Sequence, residues 1–92
     1  MANNSLSQEK LKKVNGGLTS EQAQLLTTKL MEYYHQGRLG VDQFQIIKIK
    51  EFFEIGDETE IENIFSKYDN NNISLAWTGL HNIYNTMKYG NQ

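Results

Sequence analysis

Residues 57–68 read Asp57-Glu58-Thr59-Glu60-Ile61-Glu62-Asn63-Ile64-Phe65-Ser66-Lys67-Tyr68. Ile61, Ile64, Phe65 and Tyr68 fall at i, i+3, i+4 and i+7 with no misfit, which makes one stripe of an α-helix and no face of a strand. Asp57 is an N-cap residue, and Glu60 three positions on completes the spacing of a capping box. Carboxylates crowd residues 57–62 because they complement the positive end of a helix dipole. We therefore read them as a helix start and not as a metal site or a general acid/base pair. The stretch predicts a helix over 58–68, and the same grammar recurs on both sides of it.

Upstream, Asp42 with Gln45 three residues on, and Val41 opposite Ile46 as a staple, predict a helix over 43–55. Its expected face is Phe44, Ile47 and Phe52 or Phe53, widened by Ile46 and Ile49. Ile47-Lys48-Ile49-Lys50 also alternates as a strand would, and the flanking caps decide for helix. Further back, Thr19 and Gln22 repeat the box, with Leu18 and Ala23 as staple. Ala23, Leu26, Leu30 and Tyr33 or Tyr34 then mark a helix over 20–36 that stops at Gly37. Downstream, Ser74 opens a fourth helix over 75–88. Its stripe is Ala76, Leu80, Ile83 and Met87, with Trp77 and Tyr84 beside it; Gly79 weakens it by about 1 kcal/mol against Ala. Short loops between amphipathic helices favour antiparallel neighbours. The expected fold is all-α, a small bundle of about four helices behind a flexible or nascent-helical N-terminal segment.

Composition bounds the function. The chain has 92 residues, no Cys and no Pro, and a formal charge of -2. That is one small domain with a short appendage. Without Cys there is no disulfide framework, thiol catalysis or thiolate metal site. The charge offers no general pull toward nucleic acid, and no stretch of about 18 apolar residues spans a membrane. His35 and His81 are the only histidines. His35 ends a helix, and His81 is placed on the polar face of the fourth. They form no i, i+4 pair, so no metal site or cofactor is expected. A calcium loop starting at Asp69 fails, since its sixth position is Ser74 and its twelfth is Leu80. Asn70-Asn71-Asn72 is ordinary turn chemistry. No nucleophile motif or phosphate-cradling glycine pattern occurs, and the chain is not expected to be an enzyme.

The charge is unevenly spread. Residues 1–17 hold Lys10, Lys12 and Lys13 against Glu9, whereas residues 18–92 carry 6 basic and 10 acidic groups and every aromatic side chain. The break falls at Asn15-Gly16-Gly17, where adjacent glycines disfavour helix continuation. This divides the chain into residues 1–17 and a folded domain, 18–92. The first block lacks the apolar run of a Sec-type signal peptide, and it has no Arg, which argues against a mitochondrial presequence. Leu6, Leu11 and Val14 lie near one side of a short helix that Ser5 or Ser7 can cap. Such a helix is too short to hold alone in water and suits a segment that folds as its apolar side enters a groove.

Residues 6–17, Leu6-Ser7-Gln8-Glu9-Lys10-Leu11-Lys12-Lys13-Val14-Asn15-Gly16-Gly17, resemble a double-glycine leader. Such leaders precede bacteriocins, peptide pheromones and other cargo of peptidase-containing ABC exporters, with a pattern of roughly Leu-Ser-x-x-Glu-Leu-x-x-Ile-x-Gly-Gly. Leu6, Ser7, Leu11, Gly16 and Gly17 match it, and Val14 stands for Ile. Lys10 occupies the usual Glu place, with Glu9 one position earlier. The resemblance implies recognition through Leu6, Leu11 and Val14, and cleavage between Gly17 and Leu18 by a papain-like cysteine protease domain of the exporter. It implies synthesis in the cytoplasm and secretion after leader removal. The catalytic residues belong to the transporter. A narrow protease channel that touches backbone on both sides leaves no room for Cβ at Gly16 and Gly17.

The expected function is therefore that of a precursor of a secreted bacteriocin-like or signalling polypeptide. Its partner is the exporter, with no nucleic acid and no stable membrane insertion of its own. A net charge of -4 on the cargo disfavours pore formation on anionic membranes. The alternative is an intracellular four-helix protein resembling bacteriocin immunity proteins, or a regulatory interaction protein, in which Gly16-Gly17 is an incidental hinge.

Overall fold

The computed structural model describes residues 17–90. It contains α1 (Ser20–His35), α2 (Gln43–Ile55), α3 (Glu58–Tyr68) and α4 (Leu75–Tyr89), and no strand occurs among the described residues. The fold is the expected small all-α bundle. The short helix expected around Leu6, Leu11 and Val14 falls within residues 1–16, outside the described residues.

The helices start where their caps satisfy free backbone N–H groups. Thr19 Oγ1 accepts from the Gln22 amide and Gln22 Oε1 from the Thr19 amide, both at 3.1 Å. Asp42 and Gln45 form the same reciprocal pair at 2.7 and 2.8 Å. The box at α3 is only half made. Asp57 accepts from the Glu60 amide at 3.3 Å, but the Glu60 carboxylate accepts from Asn63 Nδ2 instead of returning to residue 57. Ser74 stands at the N-cap of α4, where the fourth helix is expected to open, but makes no side-chain cap. Its hydroxyl is buried with no partner, and the turn is closed by the backbone, with Trp77 N–H donating to the Ser74 carbonyl at 3.2 Å. At the other end of α1, Gly37 takes φ +72° and a Schellman pair forms, Gly37 N–H to Tyr34 and Arg38 N–H to Tyr33.

Helix α1 packs on α2 and α4, and α3 packs on the same two, so the four close a ring. Ile61, Ile64, Phe65 and Tyr68 all enter the core, as does the stripe Ala23, Leu26 and Leu30 of α1. Phe65 sits at the centre. The rings of Phe53, Trp77 and Tyr84 lie 5.7, 6.3 and 5.5 Å from it, and the His81 ring stacks on it at 4.5 Å.

Two stripes are rotated from their expected positions. In α2 the buried face is Ile46, Ile49 and Phe53, while Phe44 is 81% exposed and Ile47 51%. This helix carries two apolar rows, so periodicity alone does not choose between them. In α4 the buried face is Ala76, Trp77, Leu80 and Tyr84, with Ile83 and Met87 half-buried on its flank. Leu39, in the α1–α2 loop, is a fully buried core residue that helical periodicity does not detect. Its carbonyl accepts from Trp77 Nε1 at 2.8 Å, fastening that loop to α4. None of the helices is long and apolar enough to cross a membrane.

Candidate functional site

Of the residues assigned to processing, Gly17 and Leu18 fall within the described structure. Leu6, Leu11, Val14 and Gly16 lie outside it. The Gly17–Leu18 bond lies against the corner where α2 turns into α3. Gly56 ends α2 at φ +74°, a left-handed conformation that glycine adopts without a Cβ penalty. Its N–H returns to the Phe52 and Phe53 carbonyls, both at 3.1 Å, and its own carbonyl faces the Gly17–Leu18 segment. Leu18 N–H donates to that carbonyl at 3.0 Å.

Gly17 is buried in the same seat. A Cβ at this position would stand 2.1 Å from the Gly56 oxygen and 2.6 Å from the Glu58 nitrogen, both backbone atoms that cannot swing aside. Gly17 is thus not a loose hinge but a residue whose missing side chain lets two stretches of backbone meet. On the far side of the bond, the Leu18 side chain is only 3% exposed and belongs to the core. Thr19 then begins the capping box, and Gln22 of that box also donates through Nε2 to the Met87 carbonyl at 3.2 Å. The start of α1 is therefore bound to both the α2–α3 corner and the C-terminal end of α4.

Ionic contacts reinforce this neighbourhood. Glu58, whose backbone helps form the seat, pairs with Lys88 Nζ at 3.3 Å, and Lys88 also contacts Glu62. Tyr84 donates its hydroxyl to Glu62 at 3.0 Å. The hydrogen bond from Lys88, aided by that from Tyr84, holds the Glu62 carboxyl below its ordinary pKa. The same bond to Glu62 raises Lys88. Burial, followed by the Glu62 acceptor, pushes the Tyr84 phenol well above its ordinary value.

A second polar cluster lies where α3 meets α4. His81, on the polar face of α4, is half-buried. Its Nδ1 lies 2.6 Å from Asp69 Oδ2, and Thr78 Oγ1 donates to Asp69 Oδ1 at 2.7 Å. The His81 contact, with the Thr78 bond, lowers the Asp69 pKa. Both carboxylate oxygens are engaged within the fold, and the Thr78 hydroxyl is directed to Asp69 rather than to the imidazole, so the trio acts as a brace between α3 and α4. No group of three or more His, Asp or Glu side chains converges as a metal site among the described residues. An open groove of about 700 Å³ between α1 and α2 is lined by Gln24, Thr27, Met31, His35, Lys50 and Glu54. Its Lys50 and Glu54 pair with each other at 2.9 Å.

Nothing in the sequence around Gly56 and Glu58 marks them as part of this site. They stand about 40 positions from Leu18, and no local spacing announces a contact of that range. Comparison with protein-family models, with curated proteins and with solved structures returns no match for this chain.

Proposed function

We propose that the chain is a precursor whose leader, residues 1–17, is bound through Leu6, Leu11 and Val14 by a peptidase-containing ABC exporter and removed after Gly17. The helical domain that begins at Leu18 is then secreted as a bacteriocin-like or signalling product. The observation that carries this reading is the spacing of Leu6, Ser7, Leu11, Val14, Gly16 and Gly17. A helix capped at Thr19 immediately behind the glycines supports it, because cleavage there would release a domain whose first element keeps its cap. The intact mass of the secreted protein tests it. A product in the culture medium that begins at Leu18 is expected, and full-length protein retained in the cells would refute it.

A second reading has one observation in its favour. Gly17 sits where no Cβ fits, so packing alone gives a reason for glycine at that position. On this reading the chain is an intracellular four-helix immunity-like or regulatory interaction protein, and the glycine pair has no part in processing. Incubation with the peptidase domain of the cognate exporter separates the two. A new N-terminus at Leu18 is expected on the first reading, and no cleavage of any form of the chain on the second.

A further inference from the structure

We infer that the folded domain shields its own processing site, so that the exporter's protease can cut only while Leu18 is out of the core. This rests on the leader reading above and adds to it a dependence of cleavage on the folded state.

Hydrolysis of this bond breaks the link between the Gly17 carbonyl carbon and the Leu18 nitrogen. Water supplies the hydroxyl that completes the Gly17 carboxyl and the hydrogen that completes the Leu18 amine. A cysteine protease needs its thiolate at the carbonyl carbon, donors at the carbonyl oxygen, and an acid at the leaving nitrogen. These groups must surround the bond while the substrate backbone lies extended in the protease channel. In the folded chain the nitrogen of the bond and the Cα side of Gly17 are already covered. The Leu18 N–H is already committed to the Gly56 carbonyl at 3.0 Å. The Cα of Gly17 lies so close to the Gly56 oxygen and the Glu58 nitrogen that even a methyl group does not fit. The Leu18 side chain is 3% exposed, and Thr19 is fixed by two hydrogen bonds to Gln22.

A protease cannot enclose a peptide bond that backbone from the other side of the molecule already encloses. Access requires the segment to lift from the corner, which breaks one backbone hydrogen bond and withdraws one buried leucine. Local openings of this kind are rare relative to the closed state. Losing a buried leucine contact and one hydrogen bond corresponds to an open fraction of about one in 100 to one in 1,000. Cleavage that proceeds through the open form slows by the same factor.

The test compares three substrates of the purified exporter peptidase domain. They are the full chain, a peptide of residues 1–24 that lacks the corner, and the full chain carrying Phe53→Ala, which loosens the core at a buried ring distant in sequence from the leader. The peptide is expected to be cut about 100- to 1,000-fold faster than the full chain at subsaturating substrate, with Phe53→Ala between them. Amide exchange supplies a readout that needs no protease: the Leu18 amide of the full chain should exchange at least about 100-fold slower than in the peptide. Equal cleavage of peptide and full chain, or an unprotected Leu18 amide, would overturn the shielding while leaving the leader assignment intact. A peptide that is not cut at all would overturn the leader assignment and this inference with it.

Discussion

Replacing Gly17 by Ala should damage the domain more than deleting residues 1–17 altogether. The added methyl must stand 2.1 Å from the Gly56 oxygen and 2.6 Å from the Glu58 nitrogen, distances that Cβ atoms do not tolerate. Neither neighbour is a movable side-chain tip, so the segment itself must lift. Lifting forfeits the Leu18 N–H to Gly56 hydrogen bond, about 1 kcal/mol net, and draws Leu18 partly from the core, up to about 2–3 kcal/mol. Together these give about 2–4 kcal/mol. At about 4–8 °C per kcal/mol for a domain of this size, the melting temperature should fall by about 8–32 °C. Deletion introduces no methyl. The new ammonium on Leu18 keeps hydrogens to donate to the Gly56 carbonyl, and it faces the negative end of α2. The cost of a positive charge near the start of α1, about 0.3–1 kcal/mol, is thereby largely offset. The truncated domain should melt within about 5 °C of the full chain. Thermal unfolding by circular dichroism decides the matter. A Gly17→Ala protein that melts with the wild type, or a truncated domain less stable than Gly17→Ala, would refute the argument from the seat.

Other outcomes follow from the same geometry. Gly79→Ala should have the opposite sign, because its Cβ would meet the Tyr33 hydroxyl at 3.8 Å and the ring edge at 3.9 Å, ordinary van der Waals contacts; urea midpoints should show a gain of about 0.5–1 kcal/mol. The Asp69 and Glu62 carboxyls have lowered pKa values when folded, so their contribution is complete above their ordinary values of 3.8 and 4.5 and fades as pH falls through the lower folded ones. Asp69→Asn should flatten that acid limb in urea titrations between about pH 2 and 5. In the cleavage assay, Leu11→Ala should slow processing by about 30–150-fold if Leu11 fills an apolar pocket, whereas Lys12→Ala should change it less than about fivefold.

The helix boundaries were legible because their signals are local. Caps at Thr19, Asp42 and Asp57 lie within three residues of the groups they serve, and the stripe at Ile61–Tyr68 has no competing row. Legibility failed where choice depends on distant partners. The rotation of α2 away from Phe44 and Ile47 depends on what α1 and α3 present to it. Leu39 is buried because Trp77 fastens its loop, which helical periodicity cannot register. Ser74 has the chemistry of a cap but is enclosed without using it. The polar face of α4 does not announce the burial of His81, because its partners, Phe65 and Asp69, come from another helix and its terminus. At the candidate site, the glycines were visible as a pair, but the reason for Gly17 within the fold was not, since Gly56 and Glu58 are remote in the chain.

That remoteness also sets a clock. On the ribosome, Leu18 is made about 40 residues before the corner that receives it, and the Met87 carbonyl that anchors Gln22 arrives later still. At roughly 5–20 residues per second, the bond stays uncovered for at least about 2–8 s of synthesis. Small helical domains close in microseconds to milliseconds once complete. Translation, not folding, therefore fixes how long a nascent chain offers the Gly17–Leu18 bond in the open, and a pause in synthesis before residue 56 would lengthen that interval without altering a single contact in the finished protein.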